Sequence, residues 1–170
     1  MIRKIVSYPS PVLSRASKPI ETVDDSIRAL LSDMAETMYV ADGVGLAAPQ
    51  IDAGLRAIVV DVGGEPGLLK MVNPEIVSRE GEIEWEEGCL SVPEFRIVIK
   101  RSRRVHVRYL DENSAVRELD AEDLLAVAIQ HEIDHLDGKL IVDNVSRLKR
   151  ELYVKKRKKA EEHARESIVL

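Results

Sequence analysis

His131, Glu132 and His135 stand in the order His-Glu-x-x-His within Gln130-His131-Glu132-Ile133-Asp134-His135-Leu136-Asp137-Gly138, and the only cysteine, Cys89, lies 42 residues upstream. On a helix, residues i and i+4 share one face, so two imidazoles at this spacing can grip one ion while Glu132 reaches water bound to it. A pair of satisfied core histidines would give the same pattern. So would the common use of a lone cytosolic cysteine as a small buried hydrophobe. Taken together the three residues point to chemistry: a thiolate and two imidazoles make a three-ligand site with one position left for water, and an open position means catalysis.

Such a site needs a helix that faces inward. Leu124, Val127 and Ala128 form an apolar stripe running into His131 and His135, Asp120 and Asp123 offer a capping pair at the start, and Gly138 suits the end. An earlier helix is predicted from Ile27, Leu30, Leu31, Met34 and Met38, with Thr22 and Asp25 as its capping pair. The glycine-rich loop Asp42-Gly43-Val44-Gly45-Leu46 breaks that pattern. Beyond it, residues 57–62 read as a buried strand, with strand-like runs at 68–72, 82–85 and 97–100. Val105, Val107 and Tyr109 alternate with polar residues, and Asp111-Glu112-Asn113-Ser114 turns the chain into 116–119, a hairpin. This order predicts an α+β fold: antiparallel sheets packed around a central metal-bearing helix, with a C-terminal helix. His106 shares a strand face with Arg104 and Arg108 and His163 sits among charged residues, so both are expected at the surface and outside the ligand set.

A chain of 170 residues with 45% apolar content builds one domain, 1–170. No stretch is long and apolar enough to span a membrane, the start lacks a signal-peptide core, and one cysteine cannot form an internal disulfide; the cytoplasm is the expected location. The net charge of −5 hides an asymmetry, because residues 144–170 hold nine Lys or Arg against four Glu. Its densest part is Lys155-Lys156-Arg157-Lys158-Lys159, within a basic C-terminal helix or tail at 147–170. That segment is either a solvated helix end or an electrostatic dock for RNA or another acidic partner.

Three stretches, Gly43-Val44-Gly45-Leu46-Ala47-Ala48-Pro49-Gln50, Glu87-Gly88-Cys89-Leu90-Ser91 and His131-Glu132-Ile133-Asp134-His135-Leu136, together resemble the three motifs of the peptide deformylases, in that family's order. The resemblance implies removal of the formyl group from the N-terminal methionine of nascent chains. It also implies ferrous iron as the native metal, although a Cys/His/His set equally suits zinc, nickel or cobalt. An ion held by Cys89, His131 and His135 would lower the pKa of water, with Glu132 taking the proton and returning it to the departing amine. The similarity assigns oxyanion donation to the Gln50 amide and the Leu90 backbone N–H, although Gln50 could instead cap a local turn. Val44, Gly45 and Gly88 would bind substrate backbone as though adding a strand. By position, Val44, Trp85, Leu124, Val127 and Ala128 would line the methionine pocket, with core packing the alternative for Trp85. Arg96 matches a substrate-contacting position, or is an exposed strand arginine. Asp42 could pair with Arg101 to brace the glycine loop, and Asp134 could orient a histidine, face solvent or bond the backbone.

Two rivals remain at this level. A zincin-like metalloprotease shares His-Glu-x-x-His but takes its third ligand downstream, where only His163 is available. A noncatalytic ribosome- or RNA-binding module would account for the basic end alone, and the family resemblance includes a terminal helix that docks on the ribosome.

Overall fold

The computed structural model describes residues 1–168. Helix α1 (Asp25–Val40) buries Ile27, Leu31, Met34 and Met38, the stripe expected from the sequence. Its cap differs from the expectation. Asp24, in extended backbone, accepts from the Ile27 N–H at 3.1 Å, while Asp25 pairs with Arg28. An aspartate directly before the first helical residue can reach the free N–H groups, which Thr22 cannot.

Seven strands follow: β1 (Gly45–Ala47), β2 (Ala57–Val60), β3 (Leu69–Glu80), β4 (Ile83–Cys89), β5 (Val92–Arg101), β6 (Arg104–Leu110) and β7 (Val116–Glu122). Five form an antiparallel sheet in the order β1-β2-β3-β6-β7, and β4 pairs with β5 as a separate antiparallel ribbon. The β6–β7 hairpin and its turn were legible; β3 runs eight residues past the predicted end at position 72. Asn73 at φ 49° and the following Pro74 read as breakers, but the ladder absorbs them in a register shift between Val72 and Glu75. As the terminal strand of its sheet, β1 keeps one edge free of strand partners.

Helix α2 (Asp123–Leu136) packs across the sheet. Ala126, Ile129, Ile133 and Leu136 meet Ile58, Met71, Val105 and Val107 from the strands. Each such large aliphatic side chain contributes roughly 1.5–3 kcal/mol by leaving water, so the orientation of the helix about its own axis is set by this face. Neither residue of the expected capping pair caps it. The cap position falls to Glu122, without a side-chain bond, while Asp120 binds His106 and Asp123 binds Arg103. His106 is thus a partly exposed, sheet-surface residue remote from any ligand role. At the other end Gly138 (φ +74°) stops the helix as expected, and a Cβ there would lie 2.7 Å from the Ser14 carbonyl oxygen.

Helix α3 (Arg147–Ile168) begins docked and ends solvated. The Tyr153 hydroxyl donates to the Pro93 carbonyl at 2.7 Å, and its ring packs edge-on against Phe95 and beside Tyr8. Arg157 pairs with Glu94, and Lys155, Lys156, Lys158 and Lys159 are exposed. Among the described residues no helix is long and apolar enough to cross a membrane.

Gly138→Ala combines a left-handed backbone with a backbone clash, and is expected to destabilise the protein by about 2 kcal/mol. Thermal unfolding should show a Tm loss of about 4–8 °C, the shift such a loss produces in a chain of this size.

Candidate metal centre

Cys89 closes β4, and one turn of α2 carries both histidines opposite it. Cys89 Sγ lies 3.3 Å from His135 Nε2, and the three donor atoms of Cys89, His131 and His135 fall within 4.8 Å of one another. A tetrahedral ion with bonds of about 2.3 Å to sulfur and about 2.1 Å to nitrogen holds such donors about 3.5 Å apart, so the set fits a divalent metal with little movement. His135 is buried, and its ring stands edge-on to that of His131 at 5.0 Å. Glu87 binds His131 Nδ1 at 2.8 Å, which leaves Nε2 to face the cluster.

Glu87 was not anticipated, and it anchors the site. Its carboxylate also accepts two hydrogen bonds from Arg101, at 2.8 and 2.9 Å, and Arg101 reaches Asp134 at 2.6 Å. Burial alone would favour the neutral acid, but the bonds from Arg101 and His131 outweigh it and hold Glu87 below its usual range. Arg101 is likewise kept charged by Glu87 and Asp134 against its own burial. Burial also opposes charge on His131, yet its contacts with Cys89 and Glu87 push its pKa well above the ordinary imidazole value; burial lowers that of His135. Arg101 therefore braces the metal-bearing elements and not the glycine loop: its partners are Glu87 and Asp134, where a pairing with Asp42 was expected. Asp134 acts on the histidines only through this arginine. The only sequence signal for Glu87 was its place in the stretch Glu87-Gly88-Cys89, two residues before the candidate ligand.

Glu132 is buried beside the cluster, with Oε1 4.0 Å from His131 Nε2 and Oε2 lacking a protein partner. Burial, opposed by His131, raises its pKa to about 7, the range in which one carboxyl can both accept and return a proton at neutral pH. Gly45 makes this position available: a Cβ on it would lie 2.6 Å from Glu132 Oε1. Gly43 similarly admits the Leu90 side chain, which a Cβ would meet at 2.7 Å.

Gln50 makes the local turn bond that was the alternative weighed for it, and the same side chain also reaches the cluster. Its Oε1 accepts from the Ala47 N–H at 2.9 Å, fixing the short 3-10 turn Ala48–Ile51, and its Nε2 donates to Ser91 Oγ at 3.0 Å while lying 3.7 Å from Cys89 Sγ. The local bond fixes which end of the amide faces the cluster.

A cavity of about 550 Å³ opens over the metal ligands, lined by Val44, Gly45, Gln50, Trp85, Gly88, Cys89, Leu90, Arg96, Leu124, Val127, Ala128, His131 and Glu132. Every residue expected in the site contributes to its wall except His135, which lies behind the other two ligands. Trp85, 37% exposed, stands in the cavity wall and outside the core. His163 is exposed on α3 near Glu166, away from the cluster.

Glu87→Gln keeps the shape but removes the charge that orients His131 and balances Arg101. Metal affinity is expected to fall by about 10–100-fold, read by competition with a chromogenic chelator, with Glu84→Gln on the exposed edge of β4 as the unchanged control.

Residues 2–151 match the family profile described as Polypeptide deformylase. Among curated relatives, a peptide deformylase of Phenylobacterium zucineum is 51% identical over 93% of this chain and 96% of its own length, and one of Bartonella tribocorum is 43% identical over 99% of each. The crystal structure of a peptide deformylase from Legionella pneumophila superposes with a TM-score of 0.89 at 47% identity, covering 96% of this chain and 98% of that one. The peptide deformylase from Ehrlichia chaffeensis in complex with actinonin gives 0.90 at 39% identity, covering 94% and 98%.

Proposed function

The chain belongs to the polypeptide deformylase family, and on that footing we propose how its residues remove the N-formyl group from the formylmethionine of nascent chains. The single observation that carries the reading is the convergence of Cys89, His131 and His135 beside the buried Glu132, with Cys89, His131 and Glu132 lining one cavity and His135 behind them. Cys89, His131 and His135 would hold the divalent ion, which would supply a Lewis acid for acidifying water and polarising the formyl oxygen. Glu132 takes the proton from the attacking water and returns it to the amine that leaves as formate departs. The Gln50 amide and the Leu90 N–H donate to the oxygen that gains charge.

Substrate backbone enters along the free edge of β1, where Val44 and Gly45 face Gly88 of the β4 ribbon, and is held as an added strand. Leu124, Val127, Ala128 and Trp85 take the methionine side chain, and Arg96 at the rim meets the following peptide. Ferrous iron is the metal we propose; the family resemblance favours it, and the donor set would accept zinc, nickel or cobalt. The whole chain acts as one domain in the cytoplasm, where translation supplies its substrate. The zincin reading loses its third ligand, since His163 stands away from the cluster.

Glu132→Gln should keep its metal and lose about 10²–10⁴-fold in formate release from formyl-Met peptides under anaerobic conditions, whereas Cys89→Ala should lose the metal itself. Activity of metal-loaded Cys89→Ala at the wild-type level would refute the assignment.

The exposed lysines of α3 support docking on the ribosome as the route to emerging chains. Removing residues 147–170 would also remove Tyr153 from its packing against Phe95, so a charge change is the cleaner test. Replacing Lys155, Lys156, Lys158 and Lys159 by Glu should leave formate release from short peptides intact and abolish salt-sensitive cosedimentation with ribosomes.

A further inference from the structure

The loop that carries Val44 has no core of its own, yet it must hold the strand edge that meets substrate. Val44 is 46% exposed and Asp42 is exposed. On its entry side the loop hangs from the end of α1, through the Asp42 N–H to the Tyr39 carbonyl (3.1 Å) and the Gly43 N–H to the Met38 carbonyl (3.0 Å). On its exit side the Asp61 N–H, just past β2, donates to the Val44 carbonyl at 2.9 Å. One side-chain contact joins these two supports. The Tyr39 hydroxyl donates to Asp61 Oδ2 at 2.5 Å, while Asp61 Oδ1 accepts from the Gly63 N–H at 2.9 Å. The Tyr39 ring is 50% exposed, so packing does not account for its placement; the bond to Asp61 does. This contact pushes the Tyr39 phenol above its usual pKa and holds the Asp61 carboxylate below its own, the directions of a charge-assisted bond.

We propose that Tyr39 and Asp61 are positioning residues that clasp the glycine loop and set the β1 edge for extended peptide backbone. Neither touches the metal ligands or Glu132. The clasp acts through the Val44 carbonyl, which it pins inward to β2, leaving the opposite side of the chain for substrate. Its contribution therefore grows with the length of backbone bound and leaves the chemical step alone. The inference rests on the strand-addition reading above.

The test compares metal-loaded wild type, Tyr39→Phe, Asp61→Ala and the double variant on formyl-Met amide and on a formyl-Met tripeptide. Tyr39→Phe should raise KM for the tripeptide about fivefold, with kcat unchanged within about twofold and little effect on the amide. In the Asp61→Ala background the same substitution should have no further effect. Equal losses on both substrates, a fall in kcat, or additive effects of the two substitutions would overturn the clasp. Equal KM for both peptides in the wild type would remove strand addition, and this inference with it. A wild type that prefers the tripeptide, with Tyr39→Phe unchanged from it, removes the clasp alone.

Discussion

One carboxylate and one imidazole, Asp134 and His131, converge on the buried guanidinium of Arg101 and its partner carboxylate Glu87, and the metal site depends on that arrangement. Arg101 leaves β5, takes both oxygens of Glu87 on β4 and then reaches Asp134 on α2, while Glu87 passes on to His131. These bonds tie the ribbon that carries Cys89 to the helix that carries both histidines, two elements that share no ladder. Removing Glu87 or Arg101 would leave a buried charge without its main counterpart, at a cost on the order of 3–5 kcal/mol. A hydrophobic substitute could fill the space, but it could not fix which nitrogen of His131 faces the ion.

The remaining architecture supplies what ion pairing cannot, namely a place for substrate next to a buried carboxylate. Helix α2 has no solvated stripe over most of its length: one face is pressed on the sheet and the other forms the cavity wall. Burial on the sheet side holds the axis still, so Leu124, Val127 and Ala128 present a preformed apolar surface. Ending the sheet at β1 leaves its outer edge without a strand partner, with the Ala47 N–H there taken by Gln50. A free edge is usually an aggregation hazard, and here it is short, three residues, all of them buried.

Much of this was legible in the chain because it is local. The phase of His131 and His135 with Leu124, Val127 and Ala128 needs only a helix, and the alternation from Val105 to Tyr109 needs only a strand. What escaped was non-local or masked by composition. Asn73-Pro74 looks like a break, and only the register shift against β6 shows why β3 continues. Glu87 stands among Glu86 and Gly88, a setting that reads as solvated loop; its burial is decided by Arg101, fourteen residues away. Asp42 was the partner considered for that arginine, but sequence alone cannot say that β5 points Arg101 toward α2. Both helix caps were misplaced by a residue or two for a simpler reason: several acidic residues compete near each start, and only the backbone angles choose among them.

Gly45 shows how closely the two halves of the site are fitted. Its role was expected to be a backbone contact to substrate, which any residue could make. The distance of 2.6 Å between a Cβ at this position and Glu132 Oε1 gives a different reason for glycine. Glu132 must be buried enough for its pKa to rise, and the β1 edge must come close enough to hold the peptide above it. Both conditions are met in the same few ångströms only if the strand carries no side chain where the carboxylate stands. Strand and general base therefore constrain each other directly: a methyl at Gly45 would force Glu132 to turn toward the cluster or push the edge outward, and either movement separates proton acceptor from substrate.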